Sequence, residues 1–346
     1  MENSLAQVPV PERHVLERRL TDFLDERGLK IDDVLGETDQ GVGSPVLAVA
    51  SGSVLAGFGN HRSDLDLLLV VESDRLTRFP VQSHRHGTLI DVNIRKADAV
   101  RAHTAWLRDS AWPRFGSVTQ DSWNHRRRTI KTTTRLALGL PLIATDPWDT
   151  WHAGLCAPWL ARVVEQWWTV EARRLSRAAR LLAGERPMVA AARGREAVVA
   201  ALNARAAAAG QLYFTEKWAG EKLRISDDRE GLAALREVLT PPLAPRDRVA
   251  RCRGLVEELT GPVAPLHSVL RWATGVGSAE LEDRTVVDRW QLRALEVART
   301  GLPPAGSEDI LWSGPPDADP PPDIQRLFVH DMLWLAVAEP DEEASG

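Results

Sequence analysis

The sequence predicts an α+β protein: a small mixed sheet flanked by helices in the first part of the chain, followed by an all-helical domain. Three features predict it. Apolar residues recur at helical spacing at both ends of the chain. Between residues 46 and 94 the pattern changes to short apolar or alternating runs. Glycines then close most of the helical stretches.

Residues 11–29 read as a helix, with Val15, Leu16, Leu20, Phe23 and Leu24 on one face and Gly28 as a stop. Residues 39–44 form a turn-rich break around Gly41 and Gly43. Residues 46–50 read as a first strand and 65–71 as a second, buried on both faces. Residues 88–94 alternate through Leu89, Ile90, Asp91, Val92, Asn93 and Ile94 and read as a third. A Gly/Ser turn, residues 51–59, joins the first two and has room for one or two helical turns.

From about residue 97 no further strand is expected. Leu155, Trp159, Leu160, Val163, Val164, Trp167 and Trp168 share one helical face, closed by Gly184. Residues 187–209 are Ala-rich and helical, with Gly210 as the residue after the helix. Residues 247–259 and 285–300 read as two more helices, each followed by glycine (Gly261 and Gly301). Residues 302–323 are Pro-rich, a linker or wrapped loop; residues 324–337 read as a docking helix before an acidic tail. The expected organisation is an N-terminal helix (1–35) packing on the sheet domain (36–145), then a helical domain (146–346).

The chain has 346 residues, 44 % hydrophobic and 26 % charged, with a formal net charge of −5. That is a globular composition, and a negative balance disfavours a strong nonspecific nucleic-acid binder. No apolar run approaches the ~20 residues of a membrane helix, and residues 1–19 have no apolar signal core. Cys156 and Cys252 lack metal-site spacing and read as small buried hydrophobes suited to a reducing cytoplasm. Tryptophan dominates the aromatics, with 13 Trp against 6 Phe and 1 Tyr.

The chemistry concentrates in residues 51–91. Asp64 and Asp66 are two apart at the start of a strand, so both carboxylates project to one face. Asp91 lies within the next expected strand and joins them if the two strands are neighbours. Clustered carboxylates repel and raise one another's pKa, and a cation relieves that repulsion. Hard oxygen donors suit Mg²⁺, with Mn²⁺ as an alternative. Two ions ~4 Å apart would clamp the attacking and leaving oxygens of an in-line displacement at phosphorus. Gly52 and Ser53 follow the first strand directly, where backbone N–H groups and the hydroxyl can cradle phosphate oxygens.

Gly52-Ser53, nine intervening residues, then Ser63-Asp64-Leu65-Asp66-Leu67, with Gly57 behind the pair and Asp91 in Leu89-Ile90-Asp91-Val92, resembles the signature of the DNA polymerase β-like nucleotidyltransferase superfamily. The match covers residues 46–94, and the layout of such a domain before a helical one is similar to the aminoglycoside-type and minimal nucleotidyltransferases. The resemblance implies that Asp64 and Asp66 bind two metal ions. Asp91 binds the catalytic one and helps activate the acceptor, and Gly52, Ser53 and Ser63 hold the nucleotide. The implied activity moves an NMP, first of all AMP from ATP, to a hydroxyl of a small molecule. A protein or tRNA acceptor is the alternative within the fold. A DxD-type glycosyltransferase using a sugar nucleotide and a non-catalytic nucleotide-binding module are the alternatives outside it.

Supporting residues follow the same logic. Residues 212–224 mix aromatics with cations; helical-domain lysines of the superfamily reach the triphosphate, which points to Lys217, with Tyr213 or Trp218 lining the nucleotide. The alternative is an amphipathic helix with solvated cations. Residues 124–135 (NHRRRTIKTTTR) are the densest basic run, either an attractor for phosphate or RNA or a solvated helix face with arginine stems over apolar surface. Glu165 and Glu171 are candidate general bases. His84 and His86 read as loop residues. Base preference, acceptor and oligomeric state are not encoded in any motif.

Overall fold

A computed structural model describes residues 12–38, 43–72, 81–156, 158–240, 244–261, 265–298 and 301–340. The chain begins with α1 (Arg13–Asp25) and α2 (Ile31–Gly36), then β1 (Pro45–Ser51), β2 (Leu65–Val71), β3 (Val81–Arg85) and β4 (Thr88–Lys96). Next come α3 (Ala97–Asp109), α4 (Gln120–Ala137), β5 (Leu140–Ala144) and α5 (Asp146–Ala153). Five helices follow: α6 (Pro158–Leu182), α7 (Pro187–Ala208), α8 (Ala219–Ile225), α9 (Arg229–Leu239) and α10 (Pro245–Thr260). The C-terminal part holds β6 (His267–Trp272), β7 (Val276–Glu280), β8 (Thr285–Arg289), β9 (Arg293–Val297), β10 (Trp312–Gly314), α11 (Pro322–Val329) and β11 (Leu333–Ala338).

These elements form two units. The first comprises Met1–Ser110, Arg128–Val164 and Ala206–Lys222; the second comprises Ala111–Arg127, Glu165–Arg205 and Leu223–Gly346. In the first, five strands form one mixed sheet in the order β3-β4-β2-β1-β5. β2 and β4 run parallel, and every other pair is antiparallel.

Alternation decides the two faces of this sheet. Leu65, Leu67, Leu69, Ile90 and Val92 join Leu16, Leu20, Phe23 and Leu24 of α1 in one buried cluster. The helical spacing of the α1 residues is what lets a single helix cover that face. Residues 66 and 91, one position out of phase, must face the other way. The C-terminal end of α4 closes on that second face. Ser51 Oγ donates to the Arg135 carbonyl at 2.8 Å. A Cβ on Gly139 would stand 2.3 Å from Val49 Cγ1 and 2.5 Å from the Ala50 carbonyl, so only glycine lets the chain pass this close to β1.

In the second unit, two three-stranded antiparallel sheets, β10-β6-β11 and β7-β8-β9, share a buried cluster with Ala178, Leu181, Leu182 and Ala190 of α6 and α7. Trp112, Trp123 and Trp167 form a second packing centre there, with ring centroids 4.9 to 5.3 Å apart. These three tryptophans serve core packing. Arg126, of the basic run 124–135, is buried with its guanidinium 4.7 Å from the Trp112 ring.

The α+β class expected from the sequence is the class found. Details within it change. The sheet has β3 and β5 in addition to the three expected strands, and His84 lies in β3, opposite Leu89, rather than in a loop. Strands also follow residue 97, so the region after α10, which holds β6 to β11 beside α11, is not all-helical. Residues 285–300, expected as a helix, are β8 and β9 joined through Trp290 and Gln291, both at positive φ (51° and 58°); residues 299–300 lie outside the described residues. Thr285 and Val287 are buried and Val286 is not, a period of two that three consecutive β-branched residues favour. Residues 324–337, expected as one helix, divide at Asp331 (φ 65°) into the end of α11 and β11. A continuous apolar run carries no period, and pairing with β6 made Leu333–Ala338 a strand. No helix among the described residues is long and apolar enough to cross a membrane. Both cysteines are free, Cys252 buried and Cys156 half-buried.

Candidate active site

All three acids singled out in the sequence lie in the first unit. Asp66 of β2 and Asp91 of β4 are register partners across the parallel ladder. Both therefore stand side by side on the face opposite the α1 cluster. Asp64 immediately precedes β2 rather than beginning it. Asp66 is buried, and the other two are half-buried. Arg135 of α4 meets Asp66 directly, Nη1 to Oδ1 at 3.0 Å.

Burial is the largest influence on the Asp66 carboxyl and raises its pKa. Arg135 and Lys131 pull it down, the charges of Asp64 and Asp91 push it up, and the outcome is a value above the ordinary one. Asn93 Nδ2 donates to Asp91 Oδ2 at 3.3 Å, while Asp91 Oδ1 is buried without a hydrogen-bond partner. Unpaired buried carboxylate oxygens are uncommon, because the lost hydration is costly.

The Gly/Ser turn passes over the same place. Gly52 has φ +91°, and a Cβ there would stand 2.2 Å from Asp66 Oδ2. Glycine thus serves both a left-handed backbone and a close approach. The Ala56 N–H donates to the Gly52 carbonyl at 3.1 Å and the Phe58 N–H to the Ser53 carbonyl at 2.8 Å, closing a helical turn. Arg19 of α1 donates to the Leu55 carbonyl at 2.6 Å and braces the turn from beneath. Ser53 Oγ donates to Ser63 Oγ at 3.3 Å, and the Asn60 N–H donates to Ser63 Oγ at 2.9 Å, so Ser63 ties this turn to the approach to β2.

Residues 212–222 complete the surroundings. Tyr213 shares a hydrogen bond with Arg135. Its pKa is pushed up to about 12, first by burial and then by the Asp66 charge. Its ring lies 5.9 Å from that of Phe58, which stacks on Trp218 at the same separation. Lys217 is exposed, its ammonium 5.0 Å from the centre of the Trp218 ring. Lys222 is buried and donates to the Thr215 carbonyl at 2.7 Å. Burial brings its pKa down to about 7, against the attraction of Glu216.

Between about pH 7 and 10.5 the unfolded chain holds a proton on Lys222 that the folded chain lacks, so its contribution to stability rises with pH across that window. Lys222→Met should remove a rise of at most ~1.4 kcal/mol per pH unit. Parallel denaturant titrations of variant and parent at pH 7 to 10.5 check it; equal slopes would contradict a neutral lysine.

The chain matches no described protein family and no curated protein. It is similar in structure to a nucleotidyltransferase-like protein from Exiguobacterium sibiricum 255-15. The two are 11 % identical over 62 % of this chain and 68 % of that one, with a TM-score of 0.38.

Among the described residues, no three His, Cys, Asp or Glu side chains already form a group able to hold a metal ion. The fit to a divalent cation lies in donor chemistry instead: Asp66 beside Asp91, with one carboxylate oxygen unpartnered. Glu171 and Glu165 both belong to the second unit. Glu171 accepts two hydrogen bonds from Arg174, each 2.8 Å. Glu165 is half-buried, and burial raises its pKa.

Sequence reasoning passed over Arg135, Lys131, Phe58 and Lys222 as site residues. Arg135 and Lys131 were visible only as part of a basic run. They are four apart and so share one helical face, a signal that separates them from their neighbours.

Proposed function

We propose that the chain is a metal-dependent nucleotidyltransferase. It would move an NMP, AMP as first candidate, from an NTP to a hydroxyl of a small-molecule acceptor and release pyrophosphate. The observation that carries this reading is the pairing of Asp66 with Asp91 across neighbouring parallel strands, under a glycine that nearly touches Asp66. That brings a Gly/Ser turn and a pair of carboxylates to one point of one sheet, which supports the reading.

Asp64, Asp66 and Asp91 would hold Mg²⁺, two ions by the proposal, or Mn²⁺. Bound metal would offset the triphosphate's charge. Gly52, Ser53 and Ser63 would hold the triphosphate, and Tyr213, with Phe58 and Trp218 near it, would flank the nucleotide. Lys217 would reach the triphosphate only by leaving Trp218. The acceptor oxygen attacks the α-phosphorus, the bond from that phosphorus to the bridging oxygen breaks, and pyrophosphate leaves. The acceptor's proton would pass to the Asp91 carboxylate.

A small acceptor is preferred over tRNA or protein because the chain's net charge is negative and two cations of the basic run are committed internally, although Arg127, Arg128 and Lys131 are exposed. Arg126 lies on Trp112 and Arg135 on Asp66. The test is incubation with each NTP, Mg²⁺ and a panel of hydroxyl-bearing acceptors, with pyrophosphate as readout and thermal shift as the binding control. Stabilisation by an NTP that requires the metal is the expected result. Absence of both NTP binding and pyrophosphate would overturn the reading, and preference for a UDP-sugar would replace it with glycosyl transfer.

A further inference from the structure

Arg173, Arg177 and Arg180 follow one another at i, i+4 and i+7 on one face of α6. With Arg253 of α10 they line a cavity of about 150 Å³ in the second unit, together with Glu257 and Asp317. Four guanidiniums against two carboxylates leave that lining with two positive charges in excess. Asp319, which accepts from Arg180 Nη2 at 2.6 Å, reduces the excess to one.

Most other bonds of the three α6 arginines go to neutral acceptors. Arg177 Nε donates to Ser268 Oγ at 2.8 Å, and its Nη2 donates to the Ala318 carbonyl. Arg180 Nη2 also reaches the Ala318 carbonyl, at 2.9 Å, and Arg173 Nη2 reaches the Gly261 carbonyl at 2.8 Å. These bonds hold the groups in position without cancelling their charge. Donors are left over: Arg173 Nε, Arg177 Nη1 and Arg180 Nε are buried without partners. Arg177 is only 6 % exposed. Burial, and then the neighbouring Arg180 charge, bring its pKa down to about 10.

Like charges buried side by side destabilise a fold unless an anion offsets them. Guanidiniums prefer oxyanions that accept several N–H bonds at once. Leu266, Pro316 and Val337 give the same cavity an apolar part.

The geometry points to a binding site, separate from the proposed transferase chemistry, for the phosphoryl group of a small phosphomonoester. The arginines would take the phosphate, and the apolar part of the lining would take the organic group. A tetrahedral phosphoryl group offers three oxygens to the three guanidiniums on one helix face, where a carboxylate offers two.

The test is calorimetric titration in EDTA, which silences metal-dependent nucleotide binding, with inorganic phosphate, phenyl phosphate and succinate as probes and chloride at equal ionic strength as control. Phenyl phosphate is expected to bind more tightly than phosphate, and succinate not to bind. Arg180→Gln and Arg253→Gln should each weaken phenyl phosphate about tenfold. Arg253 is exposed, so its variant tests the site even if Arg177→Gln, which loses its ties to Ser268 and Ala318, fails to fold. Binding that ignores both arginine variants, phosphate binding without phenyl phosphate, or equal binding of succinate would each overturn the proposal. The same titration with Asp66→Asn should match the parent, so the two sites fail or stand independently.

Discussion

Asp66→Asn is expected to lower pyrophosphate release by roughly 10³-fold while leaving the chain folded. The amide keeps the shape of the carboxylate, and its oxygen can still accept the Arg135 N–H that now lies 3.0 Å from Asp66 Oδ1. What disappears is the negative charge at the centre of the acidic group. Burial and the charges of Asp64 and Asp91 already disfavour that charge, so losing it relieves repulsion as well as loosening the tie to Arg135. Stability should therefore change far less than activity. Melting curves and pyrophosphate release on the same preparations separate the two effects. Metal-dependent stabilisation by NTP should vanish with the activity. A variant that turns over at the parental rate would show that this carboxylate takes no part in the chemistry.

Gly52→Ala is expected to damage both stability and activity. The backbone at φ +91° is strained for any residue with a Cβ, by ~1–2 kcal/mol. The new Cβ would also stand 2.2 Å from Asp66 Oδ2, so either the turn or the acid must move by about 1 Å. A displacement of that size can cost ~10²-fold in rate, and the strain should lower Tm by several degrees. Gly87→Ala separates the two causes. Gly87 also has positive φ, +78°, but nothing lies within 4 Å of its Cβ position. Gly87→Ala should share the loss of stability and keep full activity. If Gly52→Ala also keeps full activity, the turn over Asp66 does not hold the nucleotide.

Legibility varied with how local the determining interaction was. The strands carrying Asp66 and Asp91 could be read because β-branched and aliphatic runs between turn residues have few alternatives. The helix α1 could be read from its spacing alone. β8, β9 and β11 could not, because their apolar residues satisfy more than one period and a partner strand decided between them. The tryptophans were legible as large apolar groups but not as a cluster, since residues 112, 123 and 167 meet only through tertiary packing.

The sequence by itself determined that Gly52 and Ser53 follow one strand and that Asp66 and Asp91 lie within two others, the order on which the proposal rests. The side-chain alternation of a strand and the conformational freedom of glycine are properties of single residues and near neighbours. Only the tertiary structure decided that Asp66 stands beside Asp91, that Arg135 pairs with Asp66, and that three arginines of α6 share a cavity with Arg253. Those outcomes depend on strand order, register and helix placement, which the burial of apolar faces selects over the whole chain at once.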